Sequence, residues 1–374
     1  MKFYNYTLVD QKICQLAATI ETNILSYINP INLDEEKENF FNTLNKKEQY
    51  NPNFNYVAKN PIYKYYSKNI TLPVFKNEMN ELFKEIGSDS LGLIFERKLL
   101  DLFDRIELIK SVGTENFSEN SQGYYGEITS NARKYAQEII SKKIEPKENT
   151  LTFEESKKIM ESALHERKLK YKVIEKKTPG SKVSVNIRTK EIMISKKAQL
   201  SKMDLSRLIA HEIEGHIYRY ENGCTQPYKI FSRGLSKETL KTEEGIAVYI
   251  EQQEEINIDE QLKQYAGRII AIQTAKKHSF FETFEEMNKY FNKEESFNLT
   301  LRAKRGTFNQ EKGGAFYKDS LYLQGYLEIK EFTKDRNLKE LYYGRYSIND
   351  APLVFDVDGL IKPKYFPKVK KWIH

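Results

Sequence analysis

Two of the five histidines in this chain of 374 residues lie five positions apart, in the segment HEIEGH at residues 211–216. The spacing is one residue longer than H-E-x-x-H, in which two imidazoles bind zinc from one helix face and the glutamate acts on water. On a regular α-helix, residues five apart point about 140° apart. His211 and His216 could share a metal only across a π-bulge, which Gly215 makes easier. The segment predicts a bulged zinc helix; the alternative is two partly buried polar histidines.

A third metal ligand is available in the segment TEEGIA, residues 242–247. Two histidines and one carboxylate, with a fourth position open, are typical of a catalytic rather than a structural zinc site. On residue type alone, Glu243 and Glu244 compete for this role. Adjacent glutamates at the start of a helix also have a simpler explanation, which is a favourable interaction with the helix dipole.

The elements that would position these residues are two helices and a small sheet. Ser201 and Asp204 form a capping-box pattern before an apolar stripe of helical spacing, and a second helix is predicted over residues 240–254. Short alternating runs at residues 172–175, 183–187 and 191–195 predict a small, mainly antiparallel sheet. We expect the last of these strands to be an edge strand, which could bind an extended peptide by strand addition.

The rest of the pattern predicts a mainly helical α+β protein. A helix is expected at residues 91–110, and 51–61 reads as an extended loop. The pattern breaks near residues 145–150, which divides the chain into an N-terminal helical region, 1–148, and a catalytic domain, 149–374.

Composition excludes several classes of protein. Hydrophobic residues make up 39% of the chain, which is too many for a wholly disordered protein. No apolar run reaches the length of a membrane span, and the N-terminus lacks a signal-peptide pattern. Cys14 and Cys224 do not make a disulfide framework, so we expect a cytoplasmic protein. Lysine and arginine number 60 against 53 acidic residues, and they are scattered, so we expect no nucleic-acid or membrane partner.

Further segments support one family resemblance. Beside HEIEGH and EEGIA, the blocks are NPNFNY at 51–56, RLIA at 207–210, RGL at 233–235, RAKRG at 302–306, KDSLYLQG at 318–325 and LYYGRYSINDAPL at 341–353. Together they resemble the microtubule-associated tyrosine carboxypeptidase family, whose bacterial members carry a Q-E-G-L-A motif. Glu243 stands where bacterial relatives often have glutamine, which leaves Glu244 at the position of the shared glutamate. Glu214 and Gly215 depart from the more usual Gly-Thr.

The resemblance implies a zincin-like fold and a zinc metallopeptidase of the gluzincin kind. It implies one Zn²⁺ per chain, held by His211, His216 and Glu244. Glu212 would move the proton of water to the leaving amine. Tyr322 could donate a hydrogen bond to the oxyanion.

A carboxypeptidase also needs a cation for the terminal carboxylate of its substrate. The candidates are Arg302, Arg305 and Lys318, which could instead be ordinary surface charges. The expected activity is a zinc-dependent carboxypeptidase that removes an aromatic or other residue from the free C-terminus of a protein or peptide. The net charge of +7 weakly favours acidic tails. The alternatives are an endo- or aminopeptidase at the same zinc, or a non-catalytic module that binds acidic tails.

Overall fold

Helices dominate the structure, a computed structural model that describes residues 5–20, 25–57, 63–65, 68–70, 72–143, 150–176, 182–253 and 258–367. The α-helices outside the site are Tyr6–Ile20, Leu25–Ile28, Leu33–Asn45, Leu72–Lys84, Ser90–Ser111, Phe117–Tyr125, Ser130–Ile140, Phe153–Glu166, Ile258–Ala275, Phe280–Met287, Lys293–Lys304 and Ala351–Phe355, with 3₁₀ turns at Lys229–Ser232, Tyr317–Ser320, Leu338–Leu341 and Ile348–Asp350. The helix predicted at residues 91–110 is confirmed. No helix in these described ranges combines the length and apolar character needed to cross a membrane.

The strands form two small sheets. Strands β1 (Tyr63–Tyr65) and β2 (Lys68–Ile70) pair antiparallel, and β3 (Lys172–Lys176), β4 (Val183–Asn186) and β5 (Glu191–Ser195) form a second sheet. The order in the second sheet is β3-β5-β4, with β5 parallel to β3 and antiparallel to β4.

Two expectations about this sheet were wrong. It is mixed rather than mainly antiparallel, and β5 lies in its centre and is not an edge strand. Alternating residues identify a strand but carry no information about its neighbours, and the inserted strand β5 buries Ile192 and Ile194 against the core. The edges of this sheet are therefore β3 and β4.

Three helices position the candidate site. The histidine helix, residues 202–224, is continuous through an α-helical turn (Lys202–Leu208), a π-helical stretch (Ile209–Ile217) and a second α-helical part (Tyr218–Cys224). The glutamate helix is Thr239–Gln253, close to the predicted 240–254, and the tyrosine helix is Leu321–Asp335.

Small residues let these three helices pack at very short range. A Cβ atom on Gly245 of the glutamate helix would lie 2.4 Å from the carbonyl carbon of Gly325 in the tyrosine helix. A Cβ on Gly215 of the histidine helix would lie 2.8 Å from the Cβ of Ala247. Real Cβ atoms do not approach so closely, so larger side chains would force the helices apart. The glycines of HEIEGH, EEGIA and KDSLYLQG thus fix the spacing of the site.

The apolar core runs under both parts of the chain. One cluster of buried side chains includes Phe95 and Leu102 of the helix Ser90–Ser111, together with Ile213 and Ile217 of the histidine helix. The predicted boundary between residues 148 and 149 falls within positions 144–149, which lie outside the described residues. The division into two domains stays a prediction. Of the extended loop expected at 51–61, residues 51–57 are described and carry neither helix nor strand.

Candidate functional site

The histidine helix has the distortion that its sequence predicts. Ser201 and Asp204 make both hydrogen bonds of the capping box, with the Asp204 nitrogen donating to the Ser201 hydroxyl over 3.1 Å. The π-helical stretch Ile209–Ile217 then contains both histidines. The wider turn brings the rings of His211 and His216 to a centroid separation of 5.0 Å, which confirms the predicted π-bulge.

Glu244 supplies a carboxylate oxygen between the two imidazoles. Its Oε2 lies 3.7 Å from Nε2 of His211 and 3.9 Å from Nε2 of His216. The ligand atoms of the three residues all lie within 4.8 Å of one another. Within the described chain, this buried oxygen has no hydrogen-bond partner. A buried carboxylate oxygen without a partner is costly, so the geometry fits a bound cation between these groups.

Glu243, the competing glutamate, is occupied elsewhere. Its two oxygens each accept a hydrogen bond of 2.7 Å from the guanidinium of Arg345, and Arg219 lies 3.9 Å away. Burial alone would raise the pKa of the Glu243 carboxyl, but the charges and hydrogen bonds of these arginines outweigh burial and lower the pKa to about 2. The structure therefore directs Glu244, and not Glu243, towards the histidines.

Glu212 is buried beside the two imidazoles. Burial raises the pKa of its carboxyl above the usual value, and the charge of Glu244 adds to that rise. Positive charge on His211 or His216 acts in the opposite direction. A carboxylate with a raised pKa is a better proton acceptor at neutral pH than an ordinary exposed glutamate.

Tyr322 lies on the tyrosine helix next to the same cluster. Its ring is nearly parallel to that of His211, at 6.4 Å and 15°, and stacks on Tyr265 at 5.2 Å and 13°. The guanidinium of Arg268 lies 4.3 Å from the centre of the Tyr322 ring. Burial, and then the charge of Glu244, raise the pKa of the Tyr322 hydroxyl well above its usual range, so it stays a proton donor.

The three predicted cations gather around Asp319, which is itself buried. Arg302 donates from Nε to Asp319 over 2.6 Å, and Arg305 lies 3.7 Å from the same carboxylate while donating to Asn29 over 3.0 Å. The Nζ of Lys318 forms no hydrogen bond or ion pair with any side chain that the structure describes, although the charges of Glu244 and Asp319 act on it. Its Nζ lies 5.8 Å from the ring centre of Tyr322.

These cations open onto a cavity of about 1240 Å³. Its wall includes all three predicted cations, Tyr322 and Glu243, and on another side residues of the edge strand β4 such as Val185. The predicted residues thus form one region, with the metal cluster next to a cationic cavity. The buried Asp319 explains why the cations are not plain surface charges.

Three residues of the site were missed at the sequence level: Glu251, Arg345 and Arg268. Glu251 lies 2.7 Å from Nδ1 of His211, and its signal was a carboxylate seven residues after Glu244, on the same helix face. Burial lowers the pKa of His211, but Glu251 and then Glu212 and Glu244 outweigh this and raise it to about 9. Arg345 lies in the late family-like block. Arg268 had no local signal.

Known proteins share this sequence pattern. A family model described as microtubule-associated tyrosine carboxypeptidase (MATCAP) matches residues 38–372. A Mus musculus protein named as a candidate tyrosine carboxypeptidase, MATCAP2, is 31% identical over 135 residues, which cover 35% of this chain and 25% of the mouse protein. The Homo sapiens protein of the same name is 30% identical over 133 residues, or 34% of this chain and 25% of the human protein. The chain thus aligns with about a quarter of the length of each relative. The family model, by contrast, matches nearly the whole of this chain, and the chain belongs to the microtubule-associated tyrosine carboxypeptidase family.

Proposed function

We propose that this chain is a zinc-dependent carboxypeptidase that removes the last residue from a protein or peptide with a free C-terminus. The observation that carries the proposal is a buried oxygen of Glu244 that has no hydrogen-bond partner among the described residues and faces Nε2 of His211 and of His216. Two imidazoles and one carboxylate are a donor set that zinc accepts in catalytic sites. When bound, zinc supplies a positive charge that lowers the pKa of water and polarises the carbonyl of the substrate.

Glu212 is the proposed proton carrier. It follows His211 directly in the π-helical stretch and so points about a quarter of a turn away around the helix, which keeps it from competing for the ligand position. Its raised pKa favours taking a proton from the attacking water and returning it to the leaving amine. Tyr322, held protonated, would donate a hydrogen bond to the oxygen on which negative charge develops.

Recognition of the substrate carboxylate is proposed for the cations of the cavity. Lys318 is the best placed because its Nζ forms no hydrogen bond or ion pair with a described side chain, although the charges of Glu244 and Asp319 act on it. Arg302 uses only Nε on Asp319, and no other hydrogen bond of its guanidinium to a described residue is found. Arg305 is more deeply buried and already bridges Asp319 and Asn29, so we assign it to holding the cluster together. A terminal carboxylate buried here would be stabilised by charge-assisted hydrogen bonds.

The peptide would approach along β4 and not along β5. Strand β4 is an edge of its sheet, and its residues Ser184, Val185 and Asn186 line the cavity. An edge strand offers unpaired backbone groups to an extended chain. Strand addition is therefore proposed at β4, the edge strand whose residues line the cavity.

The substrate class follows from the family and from charge. The relatives are named as tyrosine carboxypeptidases, so a C-terminal tyrosine or another aromatic residue is the proposed leaving group. Cations outnumber carboxylates in the cavity wall, which favours an acidic tail. A cytoplasmic location remains part of the proposal.

The test uses two peptides of identical sequence that end in tyrosine, one as the free acid and one as the C-terminal amide. Mass spectrometry should find that the last residue is lost much faster from the free acid than from the amide, and a chelator should stop both reactions. Glu212→Gln should keep zinc but lose about 10²–10⁴-fold in rate, because it removes proton transfer and not a ligand. Cleavage at internal bonds of both peptides would favour an endopeptidase, and binding without turnover would favour a non-catalytic module.

A further inference from the structure

Glu251 is a fully buried carboxylate behind the metal cluster. It lies two turns after Glu244 on the glutamate helix, and its side chain is 0% exposed. Its Oε1 is 2.7 Å from Nδ1 of His211 and accepts a hydrogen bond of 2.9 Å from Arg207. The hydroxyl of Tyr265 lies 3.4 and 3.3 Å from its two oxygens. The Glu251 carboxylate therefore contacts the side chains of His211, Arg207 and Tyr265.

These contacts determine which nitrogen His211 presents to its neighbours. An ionised carboxylate only accepts hydrogen bonds, so Nδ1 of His211 must carry a hydrogen and donate it in a hydrogen bond to Glu251. The opposite nitrogen, Nε2, then faces Glu244 over 3.7 Å. When a cation displaces one proton from His211, this contact keeps the remaining proton on Nδ1 and leaves Nε2 to bind. Without the contact, the neutral imidazole could keep its proton on Nε2 and could then not bind a cation through that atom.

Glu251 is also connected to Tyr322 indirectly, through the side chain of Tyr265. The hydroxyl end of Tyr265 is held by Glu251, and the Tyr265 ring stacks on Tyr322 at 5.2 Å and 13°. Arg268 lies beside both rings, with its guanidinium 4.8 Å from the centre of the Tyr265 ring and 4.3 Å from the centre of the Tyr322 ring. The orientation of Tyr322 thus depends on a ring that Glu251 anchors.

We propose that Glu251 is a positioning residue, which presets the tautomer of His211 and, through Tyr265, the place of the Tyr322 ring. The inference rests on the proposed function, since it takes His211 as a zinc ligand. The rival explanation is that Glu251 merely neutralises Arg207 inside the fold. The two explanations differ because a purely structural ion pair affects stability and leaves the affinity for zinc unchanged.

The main experiment measures zinc affinity by competition with a chelator for the wild type and for Glu251→Gln. Glutamine has nearly the same size, but its amide can donate to Nδ1 and so allows the wrong tautomer. We expect zinc affinity to fall about 10–100-fold, the usual effect of losing such a partner of a ligating histidine. In the zinc-loaded variant, the NMR signal of the His211 Nδ1 proton should also move, because its hydrogen bond is no longer to a charged group.

Asp10→Asn is the matched control. Asp10 is also a buried carboxylate, and it accepts hydrogen bonds from the backbone nitrogens of Lys229 and Ile230 over 2.7 and 2.9 Å. Its replacement should lower the melting temperature of the metal-free protein about as much as Glu251→Gln does, with zinc affinity unchanged. This separates loss of fold stability from loss of positioning.

Tyr265→Phe tests the second half of the inference. It removes the hydroxyl that Glu251 holds but leaves the His211 contact in place. Zinc affinity should stay within about threefold of the wild type, while kcat on the free-acid peptide should fall several-fold at similar KM, since Tyr322 acts on developing charge.

The outcomes distinguish this inference from the proposed function. A wild-type protein that takes up no zinc would overturn both. A wild type that binds zinc, with Glu251→Gln binding equally tightly, would overturn the role of Glu251 in setting the His211 tautomer alone. Unchanged kcat in Tyr265→Phe would overturn the link to Tyr322.

Discussion

The metal cluster and the cation cluster around Asp319 lie side by side but are completed in different ways. At the metal cluster, an oxygen of Glu244 that has no hydrogen-bond partner among the described residues faces two imidazoles, an arrangement that fits a bound cation. At the cation cluster, Asp319 already holds Arg302 and lies near Arg305. Under the proposed function, the first region depends on a bound metal, whereas the second already has its charges partly balanced. Single replacements should therefore abolish function in the first region and weaken it in the second.

The largest effect is expected from Glu244→Gln. The amide lacks the charge that a metal requires, and a partly liganded site binds weakly, so zinc and activity should be lost together, activity by about 10³-fold or more. Zinc content by mass spectrometry and the hydrolysis rate of the free-acid peptide measure this. Glu243→Gln is the matched control and should keep zinc, because Glu243 faces Arg345. Zinc lost from the control and kept in Glu244→Gln would reverse the assignment.

A smaller effect is expected from Lys318→Ala. Removing one charge-assisted hydrogen bond to the substrate carboxylate should raise KM for the free-acid peptide about 10–100-fold and change little for slow turnover of the amide. Lys241→Ala, which loses a surface pair with Glu328, is the control and should leave both substrates unaffected. Steady-state kinetics with the free-acid and the amide peptide measure KM for both variants and for the wild type. An equal loss on both would mean that Lys318 acts on the fold and not on the carboxylate.

The smallest effect concerns acid stability. The folded-state pKa of Glu243 is about 2, below its ordinary value of 4.5, so its contribution to stability is present above pH 4.5 and is lost as the pH falls towards 2. In that window the unfolding free energy of the metal-free wild type should fall more steeply than that of Glu243→Gln, by up to about 1.4 kcal/mol per pH unit. Urea titrations with chelator present measure both slopes. Parallel slopes would mean that Arg345 does not hold the charge of Glu243.

The sequence predicted features that depend on nearby residues. The spacing of His211 and His216, with Gly215 between them, was enough to predict the π-helical stretch, since only a wider turn aligns residues five apart. Helix bounds followed from capping residues such as Ser201. The zinc ligands, the role of Glu212 and the activity remain predictions to be tested.

Features that depend on distant residues could not be read from the sequence. The choice between Glu243 and Glu244 turns on Arg345, about a hundred residues later, whose side chain takes up one of them. The central position of β5 depends on how three strands pack, which their alternation does not encode. Asp319 is adjacent to Lys318 in the chain, yet only the fold shows that its carboxylate pairs with Arg302 and Arg305.

The glycine contacts between the three site helices also bear on when, during synthesis, the protein would bind the proposed zinc. The proposed ligands lie on two helices that meet at Gly215 and Ala247, and the second helix is seated on the tyrosine helix where Gly245 meets Gly325. A nascent chain therefore contains all three ligands long before the ribosome has added the backbone that fixes them. Because a metal site is tight only when its ligands are held in place, zinc should be captured late, after residue 325 has emerged. Chains released before that point would carry the ligands without a stable site.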